Sequence, residues 1–120
     1  VISHTKQEWF DLAVRGLAGQ RWMQALDVDG ACTYGQPGGD RCAIGHGLGE
    51  VANLNGVAMT LVTSGRIGVT GTCSSDFLTA MQFAHDLGLS PRKMRKAFVR
   101  LAKRYDLTWP ADVPKEGAIQ

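Results

Sequence analysis

Six side chains in the sequence are of the kinds that bind metals or attack substrates: Cys32, Cys42, Cys73, His4, His46 and His85, the last followed directly by Asp86. Thiolates and imidazoles are tetrahedral Zn²⁺ ligands, and Cys32, Cys42 and His46 with either Cys73 or His85 would make a set of four. Structural zinc sites present two close ligand pairs, however, and nine residues separate Cys32 from Cys42, a spacing that fits two facing strands better. Cys42 and His46 stand at i and i+4 and would share a helix face as a thiol and its base, but no acid is placed to orient the imidazole. His85-Asp86 is the pair used by metal-dependent phosphohydrolases, whose sites need further His and Asp residues than this chain offers. Asp27-Val28-Asp29-Gly30 has the look of a calcium loop, yet that register puts Ala25 and Gln36 where carboxylates are required, so it is a turn. Gly45-His46-Gly47-Leu48-Gly49 lacks both the dinucleotide spacing and a following Lys-Ser/Thr. The expectation is therefore no catalytic residue, no metal and no cofactor, with a small Cys/His- or metal-dependent enzyme kept as a minor alternative.

The second constellation is one of charge. Arg92, Lys93, Arg95, Lys96, Arg100, Lys103 and Arg104 place seven of the thirteen Lys and Arg within thirteen residues. The whole chain carries only +2, because residues 1–86 hold five cations and eight acids while residues 87–120 hold eight and three. Such asymmetry points to an anionic partner or to a solvated helix face. A helix, a Leu87-Gly88-Leu89-Ser90 turn and a basic second helix also resemble the helix-turn-helix arrangement, in which the second helix enters the major groove of DNA. A near-neutral total charge weighs against nucleic acid, since binding it neutralises several phosphates at once. These seven cations are the predicted binding residues.

The elements that must hold them follow from pattern. One hundred and twenty residues with 44% hydrophobic and 20% charged content make one modest core, neither disordered nor fibrous. Thr5-Lys6-Gln7-Glu8 is a capping box, and Trp9, Phe10, Ala13, Val14 and Leu17 form one apolar stripe, predicting a helix over roughly 6–18. Ala31–Tyr34 and Arg41–Ile44 flank a segment with one Pro and three Gly, predicting a β-hairpin that brings Cys32 near Cys42. Two short helices are expected between Leu48 and Val62, and a glycine-rich loop over Ser64–Ser75. A helix capped by Ser75 or Asp76 then runs through Phe77, Leu78, Met81, Phe83, Ala84 and His85 and ends near Asp86-Leu87-Gly88. The last helix, capped by Ser90 with Pro91 at its first position, buries Met94, Ala97, Phe98, Leu101, Ala102 and Tyr105. The predicted fold is an α-rich α+β single small domain, several helices around a short β-hairpin, spanning 1–110, with 111–120 a frayed tail. No stretch is long and apolar enough for a bilayer, and the lack of a secretory leader pattern predicts a cytoplasmic protein with no membrane partner.

At Cys32-Thr33-Tyr34-Gly35, Gly39-Asp40-Arg41-Cys42-Ala43-Ile44-Gly45 and Gln82-Phe83-Ala84-His85-Asp86 the chain resembles a group of small uncharacterised proteins from phages, prophages and plasmids. Gln20 at the end of the first helix, and Ala102, Tyr105 and Leu107 at the end of the last, extend the likeness over most of residues 8–110. The chain departs from that group after Gly45 and in its glycine-rich segment. The resemblance implies a non-catalytic binding protein acting in a bacterial host cell. In that setting it would be a stoichiometric inhibitor of a defence or host factor, docking its basic helix on an acidic surface or in a nucleic-acid channel. Direct nucleic-acid binding is the alternative.

Overall fold

The computed structural model describes residues 3–25, 41–48, 68, 74–87 and 90–119. Helix α1 spans Lys6–Gly19 and starts as its capping box dictates: Glu8 N donates to Thr5 Oγ1 at 3.1 Å, and Thr5 N to Glu8 Oε1 at 2.8 Å. Its five stripe residues are all fully buried. After Gln20 the chain turns through two left-handed residues, Arg21 and Trp22, each with φ 58°. That conformation costs about 1 kcal/mol or more per non-glycine residue. It is offset by the burial of the Trp22 indole, whose ring stacks on Trp109 at 6.2 Å and tilts against Phe98 at 5.9 Å.

Helix α2 spans Ser75–Asp86 and helix α3 spans Pro91–Arg104. Ser74, one residue before the expected cap, accepts from Phe77 N; Ser90 accepts from Lys93 N at 3.2 Å, with Pro91 in the first turn. The two helices pack on each other, and their apolar faces join α1 in one core around Trp9, Phe10, Phe77, Met81, Met94 and Phe98.

The hairpin is corrected by the structure. The described residues are helical and contain no β-strand, so the fold is not the expected α+β arrangement around a hairpin. Arg41–Ile44, its second arm, forms no strand: it runs into a turn and then a 3₁₀ turn over Gly45–Gly47. The reason lies in what covers the segment: Cys42, Ala43 and Ile44 are consecutive and all fully buried, while Gln20 at the end of α1 accepts from Arg41 N and Gln82 of α2 accepts from Ile44 N. The first arm, the short helices expected after Leu48 and most of the glycine-rich loop lie outside the described residues.

The 3₁₀ turn sits directly on α1, and two glycines make this close approach possible. A Cβ on Gly47 would fall 2.0 Å from Trp9 Cζ3, and one on Gly16 would fall 2.1 Å from His46 Nδ1. Beyond α3 the chain returns across α1. Gln7 holds Thr108 by both backbone groups at 2.9 Å, and Trp109 Nε1 donates to Val113 O at 2.6 Å. Residues of the segment set down above as a tail contact the core: Val113 is buried, Ile119 packs against it, and Asp112 pairs with Arg15 at 3.3 Å.

Candidate functional site

Two groups of functional side chains can be compared. The first is a polar cluster where the 3₁₀ turn, α1 and α2 meet. Gln20 extends from the end of α1 and grips Arg41 as a strand neighbour would, accepting from its N–H at 2.9 Å and donating to its carbonyl at 2.6 Å. Gln20 Oε1 also accepts from His46 Nε2 at 2.9 Å, so the proton of His46 sits on that nitrogen. Burial, reinforced by the nearby Arg41 charge, lowers the His46 pKa to about 4.

His85 is fully buried, and its tautomer follows from its neighbours. Ala25 N–H can only donate, so Nε2 accepts from it at 3.1 Å; Nδ1 then carries the proton and donates to Asp86 Oδ1 at 2.8 Å. Asp86 also receives Gln82 Nε2 at 2.9 Å, and Gln82 Oε1 accepts from Ile44 N at 3.4 Å. Gln24 covers the last carbonyls of α2, those of His85 and Asp86. Cys42 lies beneath, its sulfur accepting from Gly45 N at 3.3 Å, and burial pushes the thiol up to about 12.

The cluster thus gathers Gln82, His85 and Asp86 with Cys42 and Ile44, residues far apart in sequence, but its chemistry is that of a brace. Both ring nitrogens of His85 are engaged by protein. A reactive thiol–imidazole pair requires a lowered thiol and a readily protonated ring, while Cys42 and His46 are displaced in the opposite directions. Among the described residues no three His, Cys, Asp or Glu side chains converge as metal ligands. Cys32, Cys73 and the Asp27–Gly30 turn lie outside the described residues.

The second group is the outer face of α3. Arg92, Lys93, Lys96, Arg100, Lys103 and Arg104 are exposed. No described acid lies within ion-pair distance of any of them, and the Arg104 guanidinium rests 5.4 Å from the Tyr105 ring centre. Arg95 is placed differently. It is only 5% exposed and donates through Nη2 to Gly117 O at 2.5 Å, while its Nε has no partner.

Between α2 and α3 runs an open groove of about 670 Å³. Its apolar lining is Ala80, Phe83 and Ala84 from α2, Leu87 just beyond the end of α2, and Ala97 and Leu101 from α3, and Lys93, Lys96, Arg100 and Arg104 stand along it. Phe83 is 57% exposed and Leu87 72%. A second groove, of about 530 Å³, lies on the other side of the Lys96–Arg100 ridge, between α3 and the C-terminal segment.

The grooves contain the residues that sequence reasoning misplaced or missed. Phe83, named above only as a residue of its helix, lies at 100° per residue about 170° from the centre of the arc holding Phe77, Leu78, Met81, Gln82 and His85. The same arithmetic puts Arg95 about 75° from the centre of the arc holding Met94, Phe98, Leu101 and Ala102, just past its edge, so the spacing carried a signal for Phe83 and not for Arg95. Nothing in the sequence pointed to Lys115 as a neighbour of α3. No protein-family model, curated protein or solved structure matches the chain.

Proposed function

We propose that the protein is a non-catalytic binding protein whose docking surface is the α2–α3 groove, and that it takes an acidic amphipathic helix of a partner protein. The observation that carries this is the coincidence of exposed Phe83 and Leu87 with four cations that have no described acid beside them. A partner's apolar face would cover the two side chains, and its carboxylates would meet Lys93, Lys96, Arg100 and Arg104; such pairs chiefly set capture rate and selectivity. A phosphate backbone would satisfy the cations but leave Phe83 and Leu87 in water, which is why a protein partner is favoured over DNA. The likeness to phage and plasmid proteins supports a stoichiometric antagonist, one that works by occupying its target.

The test uses a fluorescent synthetic helix with Leu along one face and Glu on the others, its scrambled counterpart, and a short random-sequence DNA duplex. The amphipathic helix should bind better than the scramble and weaken with salt. Phe83→Ser should reduce affinity about tenfold, as should the double change K96E/R100E. Equal binding by Phe83→Ser, or retention of the duplex without the peptide, overturns the proposal.

A further inference from the structure

The Arg95 guanidinium presents a physical problem that the docking groove does not solve. It carries a full charge at a site 5% exposed, its one acceptor is the neutral carbonyl of Gly117, and Nε has none. A buried guanidinium needs a countercharge or a full set of acceptors, because desolvation of an unpaired ion costs several kcal/mol. What surrounds it makes the deficit larger. Arg95 lines the second groove together with Arg92, Lys96, Arg100 and Lys115, and the one acid among the described residues there, the exposed Glu116, lies beyond ion-pair distance of all five.

We propose that this second groove is a binding site for an oligophosphate: a small molecule bearing two or three linked phosphoryl groups, held between α3 and the Lys115–Gly117 segment. Three features select that ligand. Five cations against one acid call for more than one negative charge. Arginine's planar fork matches phosphoryl oxygens in pairs; Arg92 and Arg100 supply two such forks at the surface, with the buried Arg95 charge behind them. Among the described residues that line the groove Val99 is the one apolar side chain and none is aromatic, so none of them would stack on a base, and their recognition falls on the phosphates. Entry of the anion gives Arg95 its missing countercharge and ties Lys115 to α3. The site is separate from the docking groove. Lys96 and Arg100 stand on the ridge between the two, but Arg92 and Lys115 face this one and Phe83 the other.

Calorimetric titration of the full chain with sodium tripolyphosphate at physiological ionic strength tests the site, with orthophosphate and a single-stranded oligothymidylate in parallel. One saturable tripolyphosphate site is expected, with orthophosphate much weaker. Lys115→Met and Arg92→Met, both at exposed positions, should each weaken binding about tenfold, whereas Phe83→Ser should leave it unchanged. Arg95→Met should abolish the thermal stabilisation by tripolyphosphate while leaving the unliganded protein as stable or more so, because it removes an unpaired buried charge. A purely structural Arg95 would give the reverse: a lower Tm for Arg95→Met with ligand binding intact. That result, the absence of saturation, indifference to Lys115→Met and Arg92→Met, or tighter binding of the oligothymidylate than of tripolyphosphate, each overturns the proposal. Loss of peptide binding in Phe83→Ser bears on the docking groove alone.

Discussion

His46 shows how a single buried side chain can couple stability to acidity. Its ring is held neutral by burial between α1 and the 3₁₀ turn, with Nε2–H on Gln20 and Nδ1 pressed toward Gly16. The folded-state pKa of about 4 lies below the ordinary value of 6.5. The unfolded chain therefore binds a proton first as pH falls, and stability is complete above about pH 6.5 and lost on the way down through about 4. The loss should be on the order of 3 kcal/mol. Urea denaturation from pH 7 to pH 4 measures it, and His46→Gln should flatten the dependence over that range. At Cys42 the opposite displacement, to about 12, leaves a neutral thiol packed as a small apolar group.

The elements owe their positions to a few close contacts. The 3₁₀ turn can lie against α1 because Gly47 has no side chain at the Trp9 ring. Gly47→Ala must push a methyl into a fully buried indole and should cost about 2 kcal/mol. Gly19→Ala is the matched control: nothing lies within 4 Å of the added carbon, so helix propensity alone acts and the change should be neutral or stabilising by up to about 1 kcal/mol. Chemical denaturation of the two variants separates packing from propensity. The helix starts were legible in the sequence for local reasons, since Thr5 and Ser90 each bond a backbone N–H three residues ahead. The strand expected at Arg41–Ile44 failed for a non-local one: a run of three buried residues is decided by what covers it on both sides, here α1 and α2.

Across the molecule, the return of the chain after α3 closes the core. Trp109 lies between Phe10 and Trp22, its indole N–H is satisfied by Val113 O, and Val113 is itself buried. Ending the chain after Pro110 removes that acceptor, the Val113 side chain and the Gly117 carbonyl on Arg95 together. It should lower stability by roughly 3 kcal/mol. Thermal unfolding of the shortened chain checks it, and an unchanged midpoint would show that the segment contributes nothing. The same return path places Lys115, Glu116 and Gly117 beside α3, where they form one wall of the second groove. Among the described residues no helix is long and apolar enough to cross a membrane.

The amino-acid order was sufficient for the capped helices, their main buried stripes and the basic outer face of α3, because these depend on neighbours three and four residues away. It even held the sign that Phe83 faces outward, in the angle it makes with its own stripe. Tertiary structure alone decided the pairings: Gln7 with Thr108, His85 with Ala25, Gln20 with Arg41 and Arg95 with Gly117. An amide or imidazole can bond to any backbone group of the chain, and only the packing of one core brings a particular one within reach.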